Sequence, residues 1–94
     1  MTRGVLSQDE QKGWAGFRAS GHAGWAEAGQ DIVCAAVSIL TITCVNALES
    51  VCGIRPIVNH ADGRLECRLP ERLNETQYHD AQILLGSLHQ GFQD

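Results

Sequence analysis

Ninety-four residues suffice for one domain: 44% are apolar, enough for a modest core, and 19% are charged, too few for a disordered chain. The formal net charge is −4 and no basic run interrupts the sequence, so no nucleic-acid partner is predicted. A cationic peptide or basic protein suits this charge better.

The opening residues, Met1-Thr2-Arg3-Gly4-Val5-Leu6, lack the apolar centre of a secretory signal, which predicts a cytoplasmic protein with reduced thiols. Residues Arg3 to Ser7 read as a short strand, Gln8 to Gly13 as a polar turn ending in glycine, and Trp14 to Ser20 as a second strand. In that second strand Ala15, Phe17 and Ala19 share one face, with Arg18 and Ser20 on the other. The two strands are expected to pair as a hairpin.

Gly21 to Gln30 follows as a loop. Gly21, Gly24 and Gly29 give it a pliable backbone, and Trp25 is its one large side chain. Asp31 has the chemistry of an N-cap, and the chain reads as helical from Ile32 to about Cys52, with Gly53 placed as a left-handed terminator and Pro56 beyond it. Apolar residues occur nearly all round this helix, so it is expected to be central and covered on most sides. The apolar stretch Ile32 to Leu48 is borderline in length for a membrane span, but Ser38, Thr41, Thr43 and Asn46 interrupt it and no basic flank orients it, so a buried core helix is expected. The β-branched run Val37 to Val45 leaves a strand as the alternative.

Ile57 to His60 and Arg64 to Leu69 read as a second hairpin around Asp62-Gly63, a type I′ turn signal, with Leu65, Cys67 and Leu69 on one face. Asn74 and Gln77 form a capping box for a last helix, Glu75 to Gln90. Tyr78, Ala81, Leu85, Leu88 and Phe92 make its apolar stripe, with Leu84 beside it. The order is ββαββα: an α+β, two-layer sandwich in which two antiparallel hairpins pack with two helices.

The four cysteines, at 34, 44, 52 and 67, follow no zinc-ligand spacing, and neither metal nor cofactor is expected. Cys44, Cys52 and Cys67 read as small buried hydrophobes. Cys34 differs. With Asp31 as cap it falls at the third helical position, beside backbone amides lacking intrahelical partners. A helix terminus supplies about 0.3–1 kcal/mol. One pKa unit corresponds to about 1.4 kcal/mol. A reactive thiolate therefore needs a second positive group. His22 is the nearest histidine in sequence and the loop can fold back toward the helix, although two unrelated residues would show the same spacing. His60, His79 and His89 read as solvated. Ser38 stands one turn after Cys34 on the same helical face, placed to line a site or to bond the preceding turn.

The stretch GHAGWAEAGQDIVCAAVS resembles the signature of the ribosomal-processing cysteine protease family, Prp, and the resemblance runs over residues 1–94 as a single domain. It implies a catalytic dyad of His22 and Cys34, with Asp31 and Ser38 in supporting positions. Gly21, Gly24, Trp25 and Gly29 belong to a loop that admits substrate. It also implies a homodimeric endopeptidase that removes a short N-terminal extension from a large-subunit ribosomal protein, cutting after phenylalanine. Family chains continue past the last helix into a further strand, whereas this sequence stops at Phe92-Gln93-Asp94. A non-catalytic binder of a ribosomal protein and a thiol redox sensor using Cys34 are the alternative functions.

Overall fold

The structure, a computed structural model, describes residues 3–20, 28–61 and 64–93. Its elements are β1 (Arg3–Gln8), β2 (Trp14–Ser20), α1 (Ala28–Ser50), β3 (Ile57–Ala61), β4 (Arg64–Arg68) and α2 (Glu75–Gln93). The four strands form one antiparallel sheet in the order β1-β2-β4-β3, so the two hairpins lie side by side and meet along their second strands. This is the expected α+β architecture. The Asp62-Gly63 turn lies outside the described residues.

Alternation along the strands divides the sheet into two faces. Leu6, Phe17, Ala19, Leu65 and Cys67 point to the helices, and Phe17, Ala19 and Cys67 are buried. Cys44 and Leu48 from α1, Ile54, and Ala81, Leu85 and Leu88 from α2 complete the core. Leu48 and Leu85 are wholly buried. Each contributes roughly 1.5–3 kcal/mol by removal from water. At Gly16 the neighbouring strand comes so close that a Cβ would run into the Cys67 carbonyl and Arg68 Cα.

The first turn is held by Asp9. Its carboxylate accepts from the amides of Gln11 (2.9 Å) and Gly13 (2.8 Å), and its own amide donates to the Gly13 carbonyl. At the far end of α1, Gly53 adopts φ +67° and brings the Ile54 amide to the Leu48 carbonyl at 2.9 Å. The capping box of α2 forms as expected: the Gln77 amide donates to Asn74 Oδ1 at 2.8 Å, and the Asn74 amide to Gln77 Oε1 at 3.2 Å.

Three expectations need correction. First, α1 begins at Ala28, so Asp31 is the fourth helical residue and not the N-cap, and Ala28 to Gln30 are helix instead of loop. Second, α1 is not covered on most sides: Ile39 is 66% exposed and Ile42 54%. A two-layer fold covers one side of a helix, and here a single stripe running through Thr41, Cys44 and Leu48 is buried. Third, α2 continues to Gln93, which carries Phe92 over Gly4 at the start of β1. Among the described residues no helix is long and apolar enough to cross a membrane.

Candidate active site

Two elements deliver the candidate site. β2 is an inner strand and ends at Ser20, which pairs with Arg3 on one side and Arg64 on the other. The chain therefore leaves the middle of the sheet immediately before Gly21 and His22. Gly21, His22, Gly24 and Trp25 lie outside the described residues. For Gly29, Asp31 and Cys34 the backbone belongs to the first two turns of α1, and their side chains fall outside the described set. Ser38 is exposed, one turn beyond Cys34.

The earlier start of α1 changes the electrostatics expected of Cys34. It is the seventh helical residue, roughly 9 Å along the axis from Ala28 at 1.5 Å per residue. Its own amide lies beyond the unpaired amides of the first turn, and the effect of the helix terminus fades over that turn. The helix alone therefore offers this thiol less than the position after an Asp31 cap would have offered. One heptad further, on the same helical face, sits Thr41. It is 2% exposed, and its Oγ1 donates back toward the carbonyls of Val37 (2.9 Å) and Ser38 (3.1 Å). Hydroxyl bonding to the preceding turn thus satisfies a polar group inside the core.

The remaining thiols are chemically quiet. Cys44 and Cys67 are buried, and burial pushes their thiols up to about 11 and about 12, with each one's neighbouring acidic groups adding to the effect. Burial also raises Cys52, helped by the negative charge of Asp80. All three are free cysteines. A thiol shifted this way holds almost no thiolate near neutrality, so it makes a poor nucleophile. His60 and His79 are exposed, as expected. His89 is not simply solvated: its ring stacks on Trp14, with centroids 4.8 Å apart.

A cavity of about 770 Å³ lies elsewhere. Trp14, Leu69, Leu73 and Tyr78 line it at the Trp14 end of β2. That is about 20 Å from Ser20 by strand rise.

The family model for cysteine protease Prp matches residues 1–94, the whole chain. The chain belongs to the Prp cysteine protease family. It is accordingly a cysteine protease, a peptide-bond hydrolase. Ribosomal processing cysteine protease Prp of Bacillus subtilis (strain 168) is 32% identical over 87 residues, which cover 90% of this chain and 78% of that protein. Two crystal structures of the S. aureus ribosomal processing protease Prp share the fold. The complex with a substrate peptide superposes with a TM-score of 0.83 at 26% identity, covering 99% of this chain and 86% of that one. The complex with a covalently linked product peptide gives 0.77 at 27% identity, with the same coverage. The four-stranded antiparallel sheet and two helices are thus the Prp architecture.

Proposed function

We propose that this Prp family member is an endopeptidase that removes a short N-terminal extension from a large-subunit ribosomal protein, cleaving after phenylalanine with Cys34 as nucleophile and His22 as base. The observation that carries the assignment of the thiol is the state of its three rivals. Cys44 and Cys67 are buried and Cys52 half-buried, and burial raises all three thiols, which supports Cys34 as the nucleophile. The names of the B. subtilis and S. aureus relatives support the ribosomal substrate, and the product peptide covalently linked to the S. aureus protein supports covalent catalysis.

In this reading His22 takes the proton from the Cys34 thiol, and the sulfur attacks the carbonyl carbon that follows the phenylalanine side chain. The amides of the first α1 turn, Ala28 to Asp31, have no intrahelical acceptors and are candidates to hold the oxyanion. The C–N bond breaks as His22 returns its proton to the leaving amine, giving a thioester on Cys34. Water, deprotonated by His22, then releases the acid and restores the thiol. Because the helix terminus contributes less than expected at Cys34, the imidazole bears most of the activation. Asp31 and Ser38 support the pair. Gly21, Gly24 and Gly29 give the preceding segment the freedom to admit a peptide, and Trp25 supplies an aromatic wall for phenylalanine. The protein acts in the cytoplasm as a homodimer.

Cleavage of a peptide containing a Phe-Phe pair, followed by mass spectrometry, tests the assignment. Cys34→Ala and His22→Ala are each expected to lower kcat at least about 10³-fold. Cleavage by Cys34→Ala at the wild-type rate sinks the assignment. Peptide binding without cleavage by the wild type points to a non-catalytic binder, and oxidation of Cys34 without cleavage points to a redox sensor.

A further inference from the structure

The sequence contains no run of basic residues, yet the two inner strands of the sheet gather arginines onto one face. The face turned away from the helices consists of alternate residues: Val5 and Ser7 of β1; Gly16, Arg18 and Ser20 of β2; Arg64, Glu66 and Arg68 of β4; and Ile57, Asn59 and Ala61 of β3. Among the described side chains Arg18, Arg64 and Arg68 share this face with a single acid, Glu66, a local charge of +2 in a chain of −4. All three arginines are exposed. Only Arg18 has a carboxylate partner among the described residues, Glu66 at 3.9 Å, a long contact with 62% and 42% of the two side chains in water. Such a pair holds its charges weakly.

We propose that this open sheet face binds the sugar–phosphate backbone of a nucleic-acid strand. All three cations are arginine, whose planar fork matches phosphate oxygens in pairs. They spread in two dimensions: four residues along β4 set Arg64 and Arg68 about 13 Å apart, and Arg18 on β2 stands opposite Glu66, one strand spacing of about 4.8 Å across and two residues along from each of them. Glu66 lies between Arg64 and Arg68, Gly16, Ser20 and Asn59 beside them are small or hydrogen-bonding residues that keep the floor low, and a shallow depression of about 280 Å³ runs beside Arg18 and Arg68. A flexible polyanion can bring successive phosphates to such an array. A second copy of the chain fits poorly. A two-fold contact would set +2 against +2, and docking onto the acidic remainder of another copy would be head-to-tail and open-ended. The site is independent of the protease assignment, and its binding is measured without cleavage.

Fluorescence anisotropy of a labelled 12-nucleotide single-stranded RNA, and of DNA of the same sequence, provides the test. At 50 mM salt the wild type is expected to bind, and log K should fall with log salt at a slope of about −2, the value for roughly three phosphates on a single strand. R64E/R68E should bind at least about 10-fold more weakly while keeping its circular dichroism and melting temperature. Glu66→Gln frees Arg18 and should tighten binding about 2–5-fold, a gain that a merely structural role would not produce. Absence of binding at 50 mM salt, or equal affinity in R64E/R68E, overturns the proposal. So does an oligoglutamate of equal charge that binds as tightly as the RNA, which would assign the face to an acidic protein segment.

Discussion

The side-chain amide of Gln82 on α2 pairs with the backbone of Trp14 as a neighbouring strand would. Its Oε1 accepts from the Trp14 amide at 2.6 Å, and its Nε2 donates to the Trp14 carbonyl at 2.9 Å. Both polar groups at the start of β2 are thereby satisfied from the helix layer. Gln82→Ala strands a part-buried donor and acceptor together and is expected to lower stability by about 1–3 kcal/mol with an unchanged urea m-value. Equilibrium urea denaturation measures this, and a loss below 0.3 kcal/mol would mean that water replaces the amide at no cost (roughly the noise of such comparisons).

A second tie between the layers responds to acid. Tyr78 Oη donates to Asp9 Oδ2 at 2.7 Å, and this bond, followed by the amides of Gly13 and Gln11, holds the Asp9 carboxyl below its ordinary value of 3.8. A depressed carboxyl binds fewer protons folded than unfolded. Its contribution is therefore complete above 3.8 and disappears as pH falls through the lower folded value. Tyr78→Phe should raise the Asp9 pKa, read by NMR of its carboxyl carbon, and flatten this acid-side loss. An unmoved Asp9 titration would show that the turn amides alone depress it.

At the alkaline end the sign reverses. Cys44 and Cys67 titrate near 11 and 12 folded, above the ordinary thiol value of 9.0, so the unfolded chain loses these protons first. Stability contributed by the neutral thiols is present below pH 9 and declines as pH rises toward the folded values. Urea midpoints at pH 8 and 10.5 should fall more steeply for the wild type than for C44A/C67A, although the double variant is less stable at both. Parallel slopes would mean that these thiols ionise alike in both states.

Much of this architecture was legible locally. The Asn74–Gln77 box, the glycine at 53 and the strand alternation around Phe17 and Cys67 are short-range signals, and each appears where the sequence places it. The start of α1 is hard to read because Asp31 offers a good cap, while Gly29 just before it favours a loop although it lies inside the helix. An acidic residue also suits the first turn of a helix already begun. The exposure of Ile39 and Ile42 could not be read from hydropathy, which records how apolar a residue is and not which layers exist to cover it. The stacking of His89 is not legible locally because its partner, Trp14, lies 75 positions away in sequence. The arginine face is hidden for a similar reason: its members are spread from position 18 to position 68 and meet only through strand pairing. At the candidate site the Cys34 motif was plain in the sequence, whereas the helical start that sets its electrostatics was not.

The seam between β2 and β4 joins Ser20 to Arg64, 44 positions apart, whereas each hairpin closes within a few residues. Both hairpins can therefore zip early, and the union of their inner strands must wait until the intervening helix has folded back. During that interval two bare edges face solvent, and a hairpin from another copy offers either edge an identical match. Concentrated refolding should thus favour exchanged dimers that keep every native contact, a kinetic hazard arising from the strand order itself.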